Sequence, residues 1–419
     1  MIIKFTIENY RSIKEPLTID FTASSIKEHE EDNLIHFNNA KFLKSIAIYG
    51  ANSSGKSNIL NALIFVRKFI LNSSKDQSGD IIDVEPFRLN TRSENRPSVF
   101  EIHFLLNGIK YRYGFEVDYL CIQKEWLFYT KVNKEYKYFE RNNEGIKVDE
   151  KYEEGKGVED KTRTNALFLS VVSQFNGKIA MSIVKWFGEI KYYLDTNKQF
   201  HQNYSKKLLE KPEYKAIIKN YLNRADLGFV DIETQKMGVP DLSNVPAEFR
   251  EMILNDFKNE STVMTAHQKY DENGRTSDVF FSMEDSESLG TQKYFDLSGL
   301  IVEALIHGRV LIIDEFDARL HPLLCNSIIR LFNSKVNNPR NAQLIFVSHN
   351  TSFLSKNNFR RDQILIANKH HQYGYTSLQS LMERKVRVDE AYERNYLQGE
   401  YDGIPNIDDK LNLLGVTED

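Results

Sequence analysis

Residues 50–57 have the types and the spacing of a phosphate-binding loop. They read Gly-Ala-Asn-Ser-Ser-Gly-Lys-Ser and fit G-x-x-x-x-G-K-[ST] at every fixed position. Glycines let consecutive backbone N–H groups curl around phosphate oxygens, and the N-terminus of a following helix adds its positive end. Lys56 is expected to contact the terminal phosphates, and Ser57 to coordinate Mg²⁺. The predicted nucleotide-binding residues of this loop are Gly50, Asn52, Ser53, Ser54, Gly55, Lys56, Ser57 and Asn58.

The flanking segments have the character that such a loop requires. A short apolar run over 45–49 predicts a buried strand before the loop, and an apolar stripe over 58–71 predicts a helix after it. A purely structural glycine turn would not explain why Lys56 and Ser57 follow Gly55.

Two adjacent acids follow a second apolar run. Val310–Ile313 predicts a strand that ends at Asp314 and Glu315. In phosphoryl-transfer sites an acid in this position contributes to the Mg²⁺ shell, which we assign to Asp314. A carboxylate near the γ-phosphate suits general-base work on the attacking water, which we assign to Glu315. The alternative is a pair of solvated acids at an ordinary strand end. Beside a phosphate-binding loop, the pair predicts a nucleoside-triphosphate hydrolase that uses Mg²⁺.

Two further motifs flank this acidic pair. Ser288-Leu-Gly-Thr-Gln292 comes before it, and Phe346-Val-Ser-His349 comes after it. Taken alone, Ser288 could be only a helix N-cap, and His349 could be a structural histidine at a strand end.

The order of these motifs resembles that of ABC-type ATPase heads, in the branch that contains SMC, RecF and OLD proteins. The resemblance implies that Ser288 and Gly290 form a signature that binds the γ-phosphate of ATP held by a second subunit. It places Asp317 in a loop that crosses the dimer interface, and it makes His349 a γ-phosphate switch. With Lys56 and Glu315, His349 completes the predicted catalytic set.

Three weaker assignments rest on the same resemblance. Gln174 is offered as the glutamine that senses Mg²⁺ and nucleotide, and Arg11 and Ser12 as base- or phosphate-contacting residues. The signature itself departs from the transporter form Leu-Ser-Gly-Gly-Gln. Its Ser-x-Gly-Thr form resembles the OLD-like, defence-associated branch, which counts against a transporter ATPase.

Several stretches outside these motifs resemble the RloA/AbiL-like ATPases of bacterial anti-phage systems, near the group that contains the AriA subunit of PARIS systems. They are 1–12, 86–90, 111–115, 320–322, 348–350 and 396–399. This resemblance implies a separately encoded effector, often a TOPRIM-type nuclease, and a phage-encoded trigger protein. The residues after His349 are few for a catalytic domain and lack a strand-rich Asp-x-Asp pattern, so we expect any nuclease to act in trans.

The predicted fold is α/β: an ABC-type P-loop ATPase head with a mixed sheet and an antiparallel β lobe, interrupted by a helical insertion. Asn107-Gly108 between two β-rich runs, over 100–106 and 109–115, predicts a hairpin. A second hairpin is predicted over 263–268 and 279–283. Predicted helices cover 166–175, 178–194, 204–223, 246–257 and 291–307. The predicted segments are an N-terminal ATPase lobe (1–160), the insertion (161–262), a C-terminal ATPase lobe (263–375) and a tail (376–419).

The composition of the chain bears on which metals, membranes and macromolecules it can bind. The net charge is −4, with two cysteines among 419 residues, too few for a zinc site or a disulfide framework. No apolar run reaches membrane-spanning length, so we expect a cytoplasmic protein without a membrane partner. The expected partners are a second copy, as a dimer or a higher ring of dimers, and the effector. A RecF- or SMC-like repair or chromosome ATPase is the alternative; the charge does not favour direct DNA binding but leaves it open.

Overall fold

The structure is a computed structural model that describes residues 1–77, 79–236 and 261–405. The chain forms two compact units. Unit I is Glu189–Phe346, together with Met1. Unit II is Ile2–Gly188 together with the described residues from Val347 onward. The helix predicted over 246–257 lies outside the described residues, and the boundaries of the four predicted segments stay a prediction.

Two runs of consecutive strands precede a more mixed order of strands and helices. In chain order the strands are β1 (Ile2–Glu8), β2 (Leu17–Asp20), β3 (Leu34–Phe37), β4 (Ala40–Leu43), β5 (Ser45–Tyr49), β6 (Ser98–Leu106), β7 (Ile109–Val117), β8 (Ile122–Lys131), β9 (Lys134–Asn142), β10 (Gly145–Val148), β11 (Lys191–Tyr193), β12 (Asp231–Lys236), β13 (Ser261–Tyr270), β14 (Thr276–Ser282), β15 (Val310–Ile313), β16 (Gln343–Val347), β17 (Ile364–Lys369) and β18 (Thr376–Ser380). The helices are α1 (Lys56–Asn72), α2 (Phe168–Gln174), α3 (Lys178–Glu189), α4 (Lys198–Leu209), α5 (Pro212–Asn223), α6 (Met283–Ser286), α7 (Leu289–His307), α8 (Pro322–Asn333) and α9 (Tyr392–Leu397). Among the described residues, no helix has the length and hydropathy needed to cross a membrane.

Unit II contains an antiparallel sheet in the order β10-β9-β8-β7-β6-β1-β2. The predicted Asn-Gly hairpin is confirmed, because β6 pairs with β7 and Leu106 lies opposite Ile109. Asn107 and Gly108 both have positive φ, 50° and 78°, as the tight hairpin turn requires. The face of this sheet packs against α1 through an aromatic cluster: Phe69 on the helix contacts Phe115, which in turn contacts Phe100.

Unit II also holds the strand that precedes the phosphate-binding loop. All five residues of β5 are buried, as its apolar sequence predicts. β5 pairs in parallel with β17, and β17 pairs antiparallel with β18. The strand that positions the loop therefore takes its neighbours from a part of the chain about three hundred residues later.

Unit I is built on three parallel strands, with β15 between β11 and β16. Helix α4 packs closely on α7, since the Ser205 hydroxyl donates to the Asp296 carbonyl at 2.7 Å and accepts from the Gly299 N–H at 3.1 Å. The predicted hairpin over 263–283 is confirmed by the antiparallel pairing of β13 and β14.

Two helix predictions were wrong in their extent. The pattern over 178–194 predicts one helix, but α3 ends at Glu189 and the next residues enter β11. Pairing with β15 accounts for this, because it buries Tyr193 and satisfies its carbonyl. The segment 204–223 forms parts of two helices, since Pro212 cannot continue α4 and instead begins α5.

Candidate active site

The phosphate-binding loop of unit II is held in a conformation that needs its glycines. Gly50 and Gly55 have φ of 152° and 95°. A methyl group on Gly55 would collide with the Thr376 hydroxyl and lie 2.5 Å from the Ser12 hydroxyl oxygen. Only glycine fits this position without displacing its neighbours.

Lys56 is buried at the first turn of α1 and turns back over the loop. Its ammonium donates to the carbonyls of Gly50 and Ala51, each at 2.8 Å. The positive charge of Lys56 is therefore held against the loop. A buried ammonium and backbone N–H groups at a helix N-terminus suit a polyphosphate anion.

A network of hydroxyls fixes the loop from the other side. Thr376, the first residue of β18, donates its hydroxyl to the Ser54 carbonyl at 2.8 Å. The Thr376 hydroxyl also lies 2.8 Å from that of Ser12, which accepts a hydrogen bond from the Asn58 amide at 2.8 Å. Ser12, predicted as a ligand contact, thus braces the loop. Thr376 was missed, because 326 residues separate it from Gly50 and no local pattern marks it.

Arg11 lies next to this network. Its backbone is left-handed, with φ of 50°, and its side chain pairs with Glu85 at 3.4 Å. Arg11 and Ser12 line a cavity of about 360 Å³, together with Arg88 and Lys369. The structure therefore brings Arg11, Ser12 and Asn58 together at one side of the phosphate-binding loop.

His349 follows a residue bonded to β5, and Gln174 ends the helix α2, which packs along α1. The N–H of Ser348 donates to the Ile48 carbonyl of β5 at 3.2 Å, which places His349 beside the strand that leads into the loop. Gln174 is the last residue of α2, and Ser170 of that helix donates to the Ile70 carbonyl at 2.7 Å. Ile70 is fourteen residues beyond Lys56 on α1, about 21 Å along the helix axis. The Leu167 N–H donates to the Ser73 hydroxyl at 3.2 Å, so α2 runs antiparallel to α1 and Gln174 lies nearer to Lys56 than Ile70 does. The role of Gln174 as a nucleotide sensor stays a prediction.

The acidic pair lies in unit I, directly after β15. The Asp314 N–H donates to the Tyr193 carbonyl at 3.1 Å and continues the pairing with β11. Glu315 is exposed and has left-handed backbone geometry, with φ of 47°. This conformation is uncommon for a residue with a Cβ atom and is concentrated at functional sites. The strained turn projects the Glu315 carboxylate into solvent.

The predicted signature lies at the start of α7, also in unit I. Ser288 is the N-cap, and its hydroxyl accepts from the Thr291 N–H at 3.1 Å. A methyl group on Gly290 would lie 2.5 Å from the Arg319 carbonyl oxygen, so this glycine permits close packing on the turn that contains Asp317. Ser288 is thus a helix N-cap. Its predicted role in binding a nucleotide stays a prediction.

Lys293 connects the signature helix to the acidic turn. Its side chain is only 2% exposed, and its ammonium donates to the Glu315 carbonyl at 2.8 Å. The same ammonium lies 3.6 Å from the Asp195 carboxylate and 5.3 Å from the centre of the Tyr193 ring. Burial lowers the pKa of Lys293, and Asp195 opposes that shift. No local motif singles out Lys293, because its contacts depend on how α7 packs.

The geometry described above defines a P-loop nucleotide-binding domain with a separate acidic turn. A family model for "AAA domain, putative AbiEii toxin, Type IV TA system" (AAA_21) matches residues 45–355, and the chain belongs to this family. The match includes the phosphate-binding loop, the predicted signature, the acidic pair and His349. The fold is accordingly an AAA-type P-loop domain of mixed α/β content with several sheets. No curated protein matches the chain.

Proposed function

We propose that this P-loop ATPase is the regulatory subunit of an anti-phage defence system of the RloA/AbiL-like type, near the AriA subunit of PARIS systems. Two copies pair as ABC-type heads, and ATP turnover at their shared sites controls a separately encoded effector, for which a TOPRIM-type nuclease is the leading candidate. The family description, with its toxin–antitoxin context, supports a role in bacterial conflict.

One observation carries the ATP-dependent pairing. The signature turn is joined to the acidic turn by the Lys293 hydrogen bond and by the close packing of Gly290 on the Arg319 carbonyl. A signature that contacts ATP in the partner copy can therefore affect the position of the base in its own copy. This arrangement suits a switch in which two ATP sites report on each other.

The proposed roles follow from the chemistry of each group. Lys56 and the loop N–H groups bind and orient the phosphates, and Glu315 accepts a proton from the attacking water. Hard oxygen donors suit Mg²⁺, and Ser57 and Asp314 supply a hydroxyl and a carboxylate for it. When bound, Mg²⁺ neutralises charge on the phosphates and polarises them.

Glu315→Gln tests the proposal because it removes the base and keeps the shape of the side chain. We expect ATP binding to persist, turnover to fall about 100-fold or more, and an ATP-dependent dimer to accumulate. Binding is measured with a fluorescent ATP analogue, turnover by phosphate release, and assembly by sedimentation. Glu272→Gln, at an exposed residue of the turn between β13 and β14, is the matched control.

Normal turnover by Glu315→Gln would show that another residue is the base. If turnover is lost but no ATP-dependent dimer forms, Glu315 would still be required for hydrolysis. The arrangement in which two copies share each ATP site would be refuted. The link to defence is tested separately by phage challenge of cells that carry the gene and its genomic neighbours, with wild-type and Glu315→Gln chains compared.

A further inference from the structure

Unit I has an apolar groove whose lining includes none of the site residues assigned above. Its volume is about 710 Å³, and it is lined by α5, α7, α8 and the segment that follows α8. The apolar part includes Val302, Leu305 and Ile306 of α7. Two large apolar side chains on its walls are exposed, Ile217 at 43% and Leu323 at 71%. Exposure of this kind is typical of a recognition surface.

The charged side chains that line the groove are all basic. Arg224, Arg330 and Arg340 line it, all three are exposed, and no acidic residue is among the described lining residues. None of the three forms an ion pair within the described part of the chain. Arginines near apolar side chains are favoured at protein interfaces, where the guanidinium group binds carboxylates in two-pronged geometry.

We propose that this groove is the docking site for an acidic amphipathic helix of a partner protein. The walls are helices, so an inserted helix can pack its apolar side chains between theirs. α5 has twelve residues and is about 18 Å long, which suits a partner helix of three to four turns. Aspartate or glutamate residues on the flanks of that helix would pair with the three arginines.

The groove gives the partner access to the signature helix. Val302, Leu305 and Ile306 belong to α7, whose first turn carries Ser288 and Gly290 and whose Lys293 binds the Glu315 carbonyl. A helix seated in the groove would contact the C-terminal half of α7. Identification of this partner as the effector rests on the proposed function; the docking site itself does not.

The test selects helix-forming peptides of about 16 residues, about 24 Å as a helix, from a displayed random library. The full-length chain without nucleotide is the target, and counter-selection uses the Arg330→Glu/Arg340→Glu variant. We expect enrichment of acidic residues beside apolar residues at helical spacing. A synthesised selected peptide should bind wild type at least about tenfold more tightly than the variant, with weaker binding at high salt. A copy with its acids replaced by lysine should prefer the variant.

Arg275→Glu, on the exposed turn before β14, controls for charge reversal alone and should leave binding unchanged. Leu323→Asp should abolish binding, because it places a charge on the apolar wall.

Selected peptides without acidic enrichment, or equal binding to wild type and the double variant, would overturn the proposal. Dissociation of a self-assembled form by the double variant would assign the groove to a second copy of the chain, and this too would overturn it. Peptide binding is measured without ATP and does not depend on hydrolysis. The Glu315→Gln variant must therefore bind the peptide as tightly as wild type, which separates this test from that of the proposed function.

Discussion

Replacement of Lys293 by methionine tests whether the acidic turn is positioned by the signature helix. Methionine is close to lysine in length and apolar, so it fills the buried space without an ammonium group. The change removes the 2.8 Å hydrogen bond to the Glu315 carbonyl and the charge beside Asp195. Glu315 then keeps its left-handed backbone, with φ of 47°, without that support.

The expected effects on folding and on catalysis differ in size. A lost hydrogen bond to a charged donor costs about 1.5–3 kcal/mol. Burial of an ammonium that is only 2% exposed also costs free energy, and methionine avoids this cost. The two contributions oppose each other, so we expect the free energy of unfolding to change by less than about 2 kcal/mol. A displacement of about 1 Å at the base can cost about 100-fold in rate, or about 2.7 kcal/mol.

The assay separates these quantities. Single-turnover hydrolysis gives the chemical rate, a fluorescent ATP analogue gives the affinity, and thermal unfolding gives the stability. We expect Lys293→Met to lose about 10- to 100-fold in rate while ATP affinity stays within about twofold. Lys293→Arg keeps the donor and the charge and should recover part of the rate. Lys269→Met, at an exposed residue of β13, is the control. A normal rate for Lys293→Met, or a loss of rate that merely follows a loss of folded protein, would show that Lys293 does not position Glu315.

Two other substitutions in α7 have clear expectations. Gly290→Ala places a methyl group 2.5 Å from the Arg319 carbonyl oxygen. It should therefore destabilise the chain by about 1–3 kcal/mol and slow ATP turnover. A urea unfolding curve equal to that of wild type would contradict the close packing. Asp296 is buried, neither of its carboxylate oxygens has a hydrogen-bond partner among the described residues, and burial raises its pKa to about 7 from an ordinary 3.8. Because the unfolded chain loses this proton at lower pH than the folded one, the wild type should lose stability as the pH rises from about 4 to about 7. Asp296→Asn should therefore raise the free energy of unfolding more at pH 8 than at pH 5, by about 3 kcal/mol, and equal gains at both pH values would contradict the assignment.

Local patterns predicted the parts of the fold that depend on neighbours in sequence. The β5–loop–α1 unit and the Asn107-Gly108 hairpin follow from periodicity and turn chemistry. The acidic pair at the end of β15 was also predictable, since a buried apolar run stops there. The stop of α3 before β11 was not, because the apolar pattern over 178–194 fits a helix as well as a buried strand.

The supporting residues of the site were beyond sequence reasoning for a physical reason. Thr376 contacts the phosphate-binding loop only because β18 follows β17, which pairs with β5. Lys293 is one of several polar side chains in the first half of α7, and only packing decides that it is buried against Glu315. Gln174, chosen by resemblance, ends α2, and its role towards a nucleotide stays a prediction.

The pairing of β5 with β17 has a consequence for synthesis on the ribosome. β5 ends at Tyr49 and β17 begins at Ile364, 315 residues later. At about 5–20 residues per second, roughly 15–60 s pass before this partner strand has been made. For that time a strand that is fully buried in the folded chain lacks one of its neighbours, and the threonine that braces the loop does not yet exist. A nascent chain that stalls within this interval cannot assemble the braced loop, so nucleotide binding in the form described above is confined to chains translated beyond Thr376.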